Sequence, residues 1–164
     1  MTLGMTPFTL FHVLLSLIGI FTGFVAVFGM IAGKRLDGWT VVFLVTTALT
    51  SITGFFFPFH KVTPGIILGV ISLVILAVAI PARYVKHLAG AWRKIYAVTA
   101  TIALYLNVFV LVAQLFLKVP SLHVLAPTGS EPPFLLSEAV VMAVFIALTV
   151  VAAIRFHPQA VHAS

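Results

Sequence analysis

The chain has 164 residues, of which 62% are hydrophobic and only 7% are charged, and its formal net charge is +6. A water-soluble domain of this length has too small an interior for so much apolar surface and needs a more charged exterior, so an ordinary soluble fold is excluded. The chain contains no cysteine, which excludes disulfides, thiolate metal sites and cysteine nucleophiles.

Long apolar runs follow one another along the chain and predict transmembrane helices, since about 20 apolar residues are needed to cross a bilayer. The runs are continuous rather than alternating, which favours helices over a membrane barrel. They cover 8–33, 39–59, 65–82, 95–117 and 135–154. We therefore predict an all-α integral membrane bundle of five transmembrane helices in a single domain, 1–164. The proline-rich segment 118–134 is expected to be an irregular interfacial loop.

The lysines and arginines predict the orientation of the bundle, because they concentrate in cytoplasmic loops. Two of them fall on one predicted side, at Lys61 and Lys118. The other seven fall on the opposite side: Lys34, Arg35, Arg83, Lys86, Arg93, Lys94 and Arg155. The predicted topology is N-out and C-in. Since the cations lie at the ends of apolar runs, they indicate topology and no nucleic-acid binding.

The loop between the third and fourth runs, "RYVKHLAGAWRK", is expected to lie on the inner leaflet as a short amphipathic segment. Arg83, Lys86, Arg93 and Lys94 could bind anionic lipid there. The alternative is an ordinary positively charged loop.

Small residues recur every fourth position in several helices, as in Gly19-x-x-x-Gly23 of the first and in Ala139, Ala143 and Ala147 of the last. Such rows let helix backbones approach closely in lipid. We expect them to pack inside the bundle, with a homo-oligomer interface as the alternative.

Two amides in the fourth helix, Asn107 and Gln114, differ by seven positions and so share one helix face. Amides within a membrane are expected to face the bundle interior. They predict either an interhelical hydrogen bond or the polar lining of a path for a ligand, a quinone or a proton.

Three histidines and one carboxylate are predicted to lie at the outer end of the bundle, namely His12, His60, His123 and Glu138. These four side chains could ligate zinc, copper or iron. His12 and His60 could bind a haem b iron axially, and either arrangement could relay protons. The alternative is that each histidine reaches headgroups or water at the interface.

Glu138 lies inside an otherwise apolar run, "PPFLLSEAVVMAVF". One interpretation has Ser137 cap the last helix and Glu138 occupy its first turn, where the helix dipole favours an anion. The other is a buried carboxylate paired with His12, His60 or Lys61, which would mark a functional site.

Three stretches, "GFFFPFHKVTPG", "HLAGAWRKIYAVTATIALYLNVFVLVAQLF" and "SEPPF", resemble a group of small multi-pass bacterial inner-membrane proteins without an assigned activity. That resemblance implies a bacterial cytoplasmic membrane. The architecture is also distantly similar to small b-type membrane cytochromes, whose haem ligands project from bundle helices. Those ligands lie well inside their helices, whereas His12 and His60 lie near helix ends.

Three functions remain open from the sequence. The first is a non-enzymatic accessory, sensing or scaffolding bundle, favoured because few polar groups need explaining. The second is a redox, metal-binding or haem-binding protein that uses the outer cluster. The third is a small permease or proton-coupled carrier lined by Asn107, Gln114 and the hydroxyl residues of the second helix, which ranks last because only Asn107 lies near the midplane. The sequence predicts no catalytic residues and does not identify a protein partner.

Overall fold

The computed structural model describes residues 7–56 and 64–157, and within these ranges the chain is helical with no strand. The helices are α1 (Pro7–Ile31), α2 (Asp37–Gly54), α3 (Pro64–Tyr84), α4 (Trp92–Lys118), α5 (Pro120–His123) and α6 (Pro132–Arg155). The predicted all-α class is confirmed for the described part of the chain. The segment 118–134 is irregular as expected, apart from the single turn of α5 and the first residues of α6.

Among the described residues, four helices are long and apolar enough to cross a membrane, namely α1, α3, α4 and α6. The prediction of five such helices is wrong in number, because α2 has only 18 residues and six of them are serine or threonine. The predicted run 39–59 also extends past the end of α2 at Gly54. Its last residues, from position 57, lie outside the described chain.

The helices alternate in direction and meet at two ends of the bundle. At one end, which we call the Arg83 end, Arg83 reaches Asp37 at the start of α2. Arg155 at the end of α6 donates there to the carbonyl of Ile31 at the end of α1, at 2.9 Å. At the other end, which we call the Glu138 end, the rings of Phe116 and Phe134 meet with centroids 5.5 Å apart. Helices α1 and α6 therefore run in the same direction, and α2 returns between α1 and α3.

The turn at the Arg83 end of α1 is defined by local chemistry. Gly33 has a φ of +76°, a conformation that L side chains rarely adopt. Its N–H bonds to the Met30 carbonyl at 2.9 Å, and the N–H of Lys34 bonds to the Gly29 carbonyl at 2.8 Å. This pair of bonds is the Schellman motif, which stops the helix while satisfying its last carbonyls.

The surface of α2 is inverted relative to a soluble helix. Its hydroxyl residues Thr40, Thr46, Thr47 and Ser51 are buried. Its exposed positions include large apolar residues: Val41, Val42, Val45, Leu49 and Ile52. Polar side chains that face inward and apolar ones that face outward are expected when the surrounding solvent is lipid. The chain is thus a helical protein whose outer surface suits a membrane.

The small residues of α1 pack inside the bundle as predicted, whereas those of α6 do not. Gly19 and Gly23 are buried, while Ala139, Ala143 and Ala147 are exposed. The expectation that the alanine row packs within the bundle is therefore wrong. A homo-oligomer through this face stays a prediction.

Replacing Gly23 by alanine tests the close contact of α1 with α2 and α4. An added Cβ would lie 2.7 Å from Cδ1 of Leu104 and 2.8 Å from Cε1 of Phe43. Both neighbours are fully buried, so we expect Gly23→Ala to lower the free energy of unfolding by about 1–2 kcal/mol. The control is Gly38→Ala, where an added Cβ meets nothing within 4 Å. Equal unfolding free energies in a detergent titration of the two variants would contradict the packing.

Candidate functional site

The carboxylate of Glu138 is buried between α6 and α4. The buried residues of α6 are Glu138, Phe145 and Ala152, spaced at seven so that they form one stripe along the helix. Phe145 packs on Tyr105 of α4, with centroids 5.6 Å apart, which turns this stripe toward α4. Glu138 is 7% exposed. Neither of its carboxyl oxygens has a hydrogen-bond partner among the described residues.

The helix-start interpretation of Glu138 is wrong. Helix α6 begins at Pro132, three residues before the predicted start, with Glu131 at the N-cap position. Proline is well suited to the first helical position because its missing N–H has no partner there anyway. The hydroxyl of Ser137 donates to the Pro133 carbonyl inside the helix, at 2.8 Å, and does not cap it. Glu138 is thus in the second turn, away from the free N–H groups that attract anions.

A groove open to the outer surface lies along the junction of α4 and α6. Its volume is about 350 Å³, and it is lined by Ile102, Tyr105, Met142, Phe145, Ile146, Thr149 and Val150. Met142 is one helical turn beyond Glu138, about 6 Å along the axis. Tyr105, which lines the groove, also lies within electrostatic range of Glu138. Glu138 is not itself a lining residue, so the groove and the carboxyl group are neighbours along α6.

Two of the predicted outer histidines, His12 and His123, lie in the described chain, and they have different surroundings. Nδ1 of His12 lies 2.7 Å from Oγ1 of Thr53 on α2. The Thr53 hydroxyl also lies 2.7 Å from the Leu49 carbonyl, and when it donates there, Nδ1 of His12 is the donor in this pair. His123 is exposed on α5, with Nδ1 at 3.3 Å from the Phe116 carbonyl.

The predicted metal and haem sites depend on residues beyond the described ranges. His60 and Lys61 lie outside the described residues. Within residues 7–56 and 64–157, no three side chains of the types His, Cys, Asp and Glu are placed to hold a metal ion. Metal binding by His12, His60, His123 and Glu138, and haem binding by His12 and His60, stay predictions.

The two amides of α4 lie in different surroundings. Asn107 is buried and donates through Nδ2 to Oγ1 of Thr47 on α2, at 3.1 Å. An added Cβ at Gly19 would lie 3.7 Å from that same nitrogen, so a glycine of α1 leaves room for the pair. Gln114 is exposed. Only Asn107 therefore lies in the interior, where it forms an interhelical hydrogen bond.

A buried cation that was not predicted from the sequence lies at the opposite end of the bundle. Arg83 is 1% exposed. Its Nη2 donates to Oδ1 of Asp37 at 2.5 Å and to the Arg35 carbonyl at 3.1 Å. Its guanidinium carbon lies 5.1 Å from the centre of the Tyr96 ring, a cation–π distance. Arg83 joins the start of α2 to α3 and α4. Two features of the sequence could have indicated its pairing with Asp37: Arg83 directly follows an apolar run, and the chain has a single aspartate.

The remaining cations of the expected lipid-binding loop divide into two kinds. Nη1 of Arg93 donates to the Phe156 carbonyl at 2.6 Å, so it fastens α4 to the end of α6. Nζ of Lys86 lies 5.6 Å from the centre of the Trp92 ring. Lys86 and Lys94 are exposed, whereas Arg83 is buried. Anionic-lipid binding stays a prediction that Lys86 and Lys94 could carry.

Comparison with known protein families, with curated proteins and with solved structures finds no match for this chain. What it does is therefore inferred from its own residues.

Proposed function

We propose that this chain is a non-enzymatic integral membrane protein of the sensing or accessory kind, and that Glu138 binds and releases the proton to which it responds. One observation carries the proposal. Glu138 is a buried acidic side chain with neither oxygen partnered in the described chain, set in a helix whose surroundings are apolar. An ionised carboxylate without a partner is very unfavourable in such a medium, and the neutral acid is favoured. Ionisable groups inside membranes commonly mark sites of function.

The groups around Glu138 support this role. Tyr105 of α4 lies within electrostatic range of Glu138. Among the other titratable groups at this end, His12 on α1 bonds to Thr53, and Lys118 at the end of α4 and His123 on α5 are exposed. The ion pairs of the described chain are those of Asp37 with Arg35 and Arg83 at the opposite end.

The proposed orientation is N-out and C-in within a bacterial cytoplasmic membrane. The support is the segregation of seven of the nine Lys and Arg residues at the Arg83 end, combined with the preference of these residues for cytoplasmic loops. Helix α2 lies in the bilayer beside the other helices in this proposal, because it returns between two helices that run in the same direction. The Glu138 end then faces outward, and the protein responds to protons on the extracytoplasmic side.

The pH dependence of stability tests the proposal through Glu138→Gln. If folding places a proton on Glu138, the folded state binds one more proton than the unfolded state, in which this carboxyl is ionised near neutral pH. Stability must then fall as pH rises. Relative to Glu138→Gln, we expect the wild-type unfolding free energy to decrease as pH rises above about pH 5, where the unfolded carboxyl has lost its proton, with a slope of up to about 1.4 kcal/mol per pH unit until folded Glu138 also ionises.

Glu131→Gln is the matched control, because Glu131 bonds only to its own loop at Thr128 and Ser130. It is expected to leave the wild-type slope unchanged. Parallel pH profiles for wild type and Glu138→Gln would overturn the proposed proton site.

A further inference from the structure

We infer that Glu138 and the adjoining groove form a binding site for a lipophilic organic cation, which competes with the proton for the same carboxyl group. This inference rests on the proton-binding function proposed above and names the ligand of that site. It combines two observations, the unpartnered carboxyl of Glu138 and the apolar groove whose nearest lining residue on α6, Met142, lies one helical turn from Glu138.

The charges of the chain favour a positively charged ligand. The chain has only three acidic residues. Asp37 is paired with Arg83 and Arg35, and Glu131 is held by hydrogen bonds within its own exposed loop. Glu138 is the acidic group that has no partner among the described residues. A positive charge that enters from the lipid thus finds its counter-charge at Glu138.

The lining of the groove selects an organic, apolar ligand over a metal ion. Hard metal ions in proteins require several oxygen ligands, whereas the wall next to Glu138 consists of Met142, Phe145 and Ile146. Tyr105 adds an aromatic ring to that wall, and aromatic faces attract organic cations. The volume of about 350 Å³ lies in the range of small-molecule sites.

Access to the groove is from the bilayer. Met142, Ile146 and Val150 line it and are also exposed on the outer surface of α6. A hydrophobic cation that partitions into lipid can therefore reach the groove laterally, with its charge toward Glu138 and its apolar groups between α4 and α6. The carboxyl then exchanges its proton for the bound cation, so charge is conserved in the site.

The test measures binding of tetraphenylphosphonium to the full chain in lipid nanodiscs by equilibrium dialysis. We expect saturable binding that weakens as pH falls, and at least about tenfold weaker binding to Glu138→Gln. Ile146→Trp, which fills the groove at a lipid-exposed position, is expected to weaken binding comparably. Glu131→Gln is expected to bind as the wild type does.

Tetraphenylborate provides a probe of the same shape and opposite charge, and it is expected not to bind saturably. Equal affinity for the two probes, or unchanged tetraphenylphosphonium affinity in Glu138→Gln, would overturn the inference. If the pH-dependent stability of Glu138 is found while the probe does not bind, the cation site is wrong and the proton function stands. If the probe binds but the stability slope is absent, the proton function is wrong and Glu138 is a permanently ionised cation site.

Discussion

Replacing Asp37 by asparagine is expected to lower the free energy of unfolding by about 2–3 kcal/mol. Arg83 would keep its buried position and lose its anionic partner, and a buried charge left alone in this way costs about 3–5 kcal/mol when both partners are buried. The smaller value is expected here because the side chain of Asp37 is 64% exposed, and water already screens part of the interaction. Unfolding in a mixed-micelle detergent titration measures the loss.

The stability of the wild type at acidic pH is a second test of the pair that Asp37 forms with Arg83. Partial burial opposes ionisation of Asp37, but hydrogen bonds from Arg83 and Arg35 and the charges of both outweigh it and hold the pKa of Asp37 below its ordinary value. A lowered carboxyl pKa contributes stability that is present above about pH 4 and is lost as pH falls through the folded-state value. The advantage of wild type over Asp37→Asn should therefore shrink in that acidic range.

A double variant separates charge pairing from local packing. Arg83→Met combined with Asp37→Asn removes the buried charge together with its partner, so it should be less destabilised than Asp37→Asn alone. A double variant with additive losses, or an Asp37→Asn variant within about 0.5 kcal/mol of wild type, would contradict the role of the pair in joining α2 to α3.

Replacing Glu138 by leucine is expected to raise the free energy of unfolding by about 1–3 kcal/mol at neutral pH. Leucine fills a similar volume and removes a buried polar group that has no partner in the described chain, and such groups are unfavourable by about this amount. The same variant should lose tetraphenylphosphonium binding. Greater stability with loss of binding is the pattern expected of a site kept for function at the expense of stability.

Glu138→Gln is the control for shape, because it keeps a polar head of the same size. It should keep the cost of burying a polar group that leucine removes, and it should match wild type only below about pH 4, where the carboxyl is protonated in the folded and the unfolded state alike. A leucine variant less stable than wild type by 1 kcal/mol or more would instead indicate that Glu138 has a stabilising partner.

The existence of the helices was predictable from sequence, whereas their ends were less so. Long apolar runs fixed the positions of α1, α3, α4 and α6, because the bilayer sets the length that such a helix needs. The end of α2 was misplaced because the phenylalanines after Gly54 keep the run apolar, although the following proline disfavours helix in the residue before it. Hydropathy does not distinguish an apolar helix from an apolar turn.

The predicted burial of a polar side chain was right only where a neighbouring helix lies beside that side chain. Asn107 and Gln114 share a face of α4, yet Thr47 covers the first, and α2 has ended at Gly54 by the level of the second. Arg83 was counted as a loop cation because nothing in its local sequence indicates that the start of α2 covers it. Burial of this kind depends on how three helices meet, and a single sequence does not specify that.

The most direct test of the central claim is the infrared spectrum of the protein in lipid at neutral pH, in the region of the carbonyl stretch of protonated carboxylic acids. We expect an acid band in the wild type that is absent in Glu138→Gln and retained in Asp37→Asn and Glu131→Gln. A wild type without this band, or a band that persists in Glu138→Gln, would show that Glu138 does not hold the proton and would contradict the account.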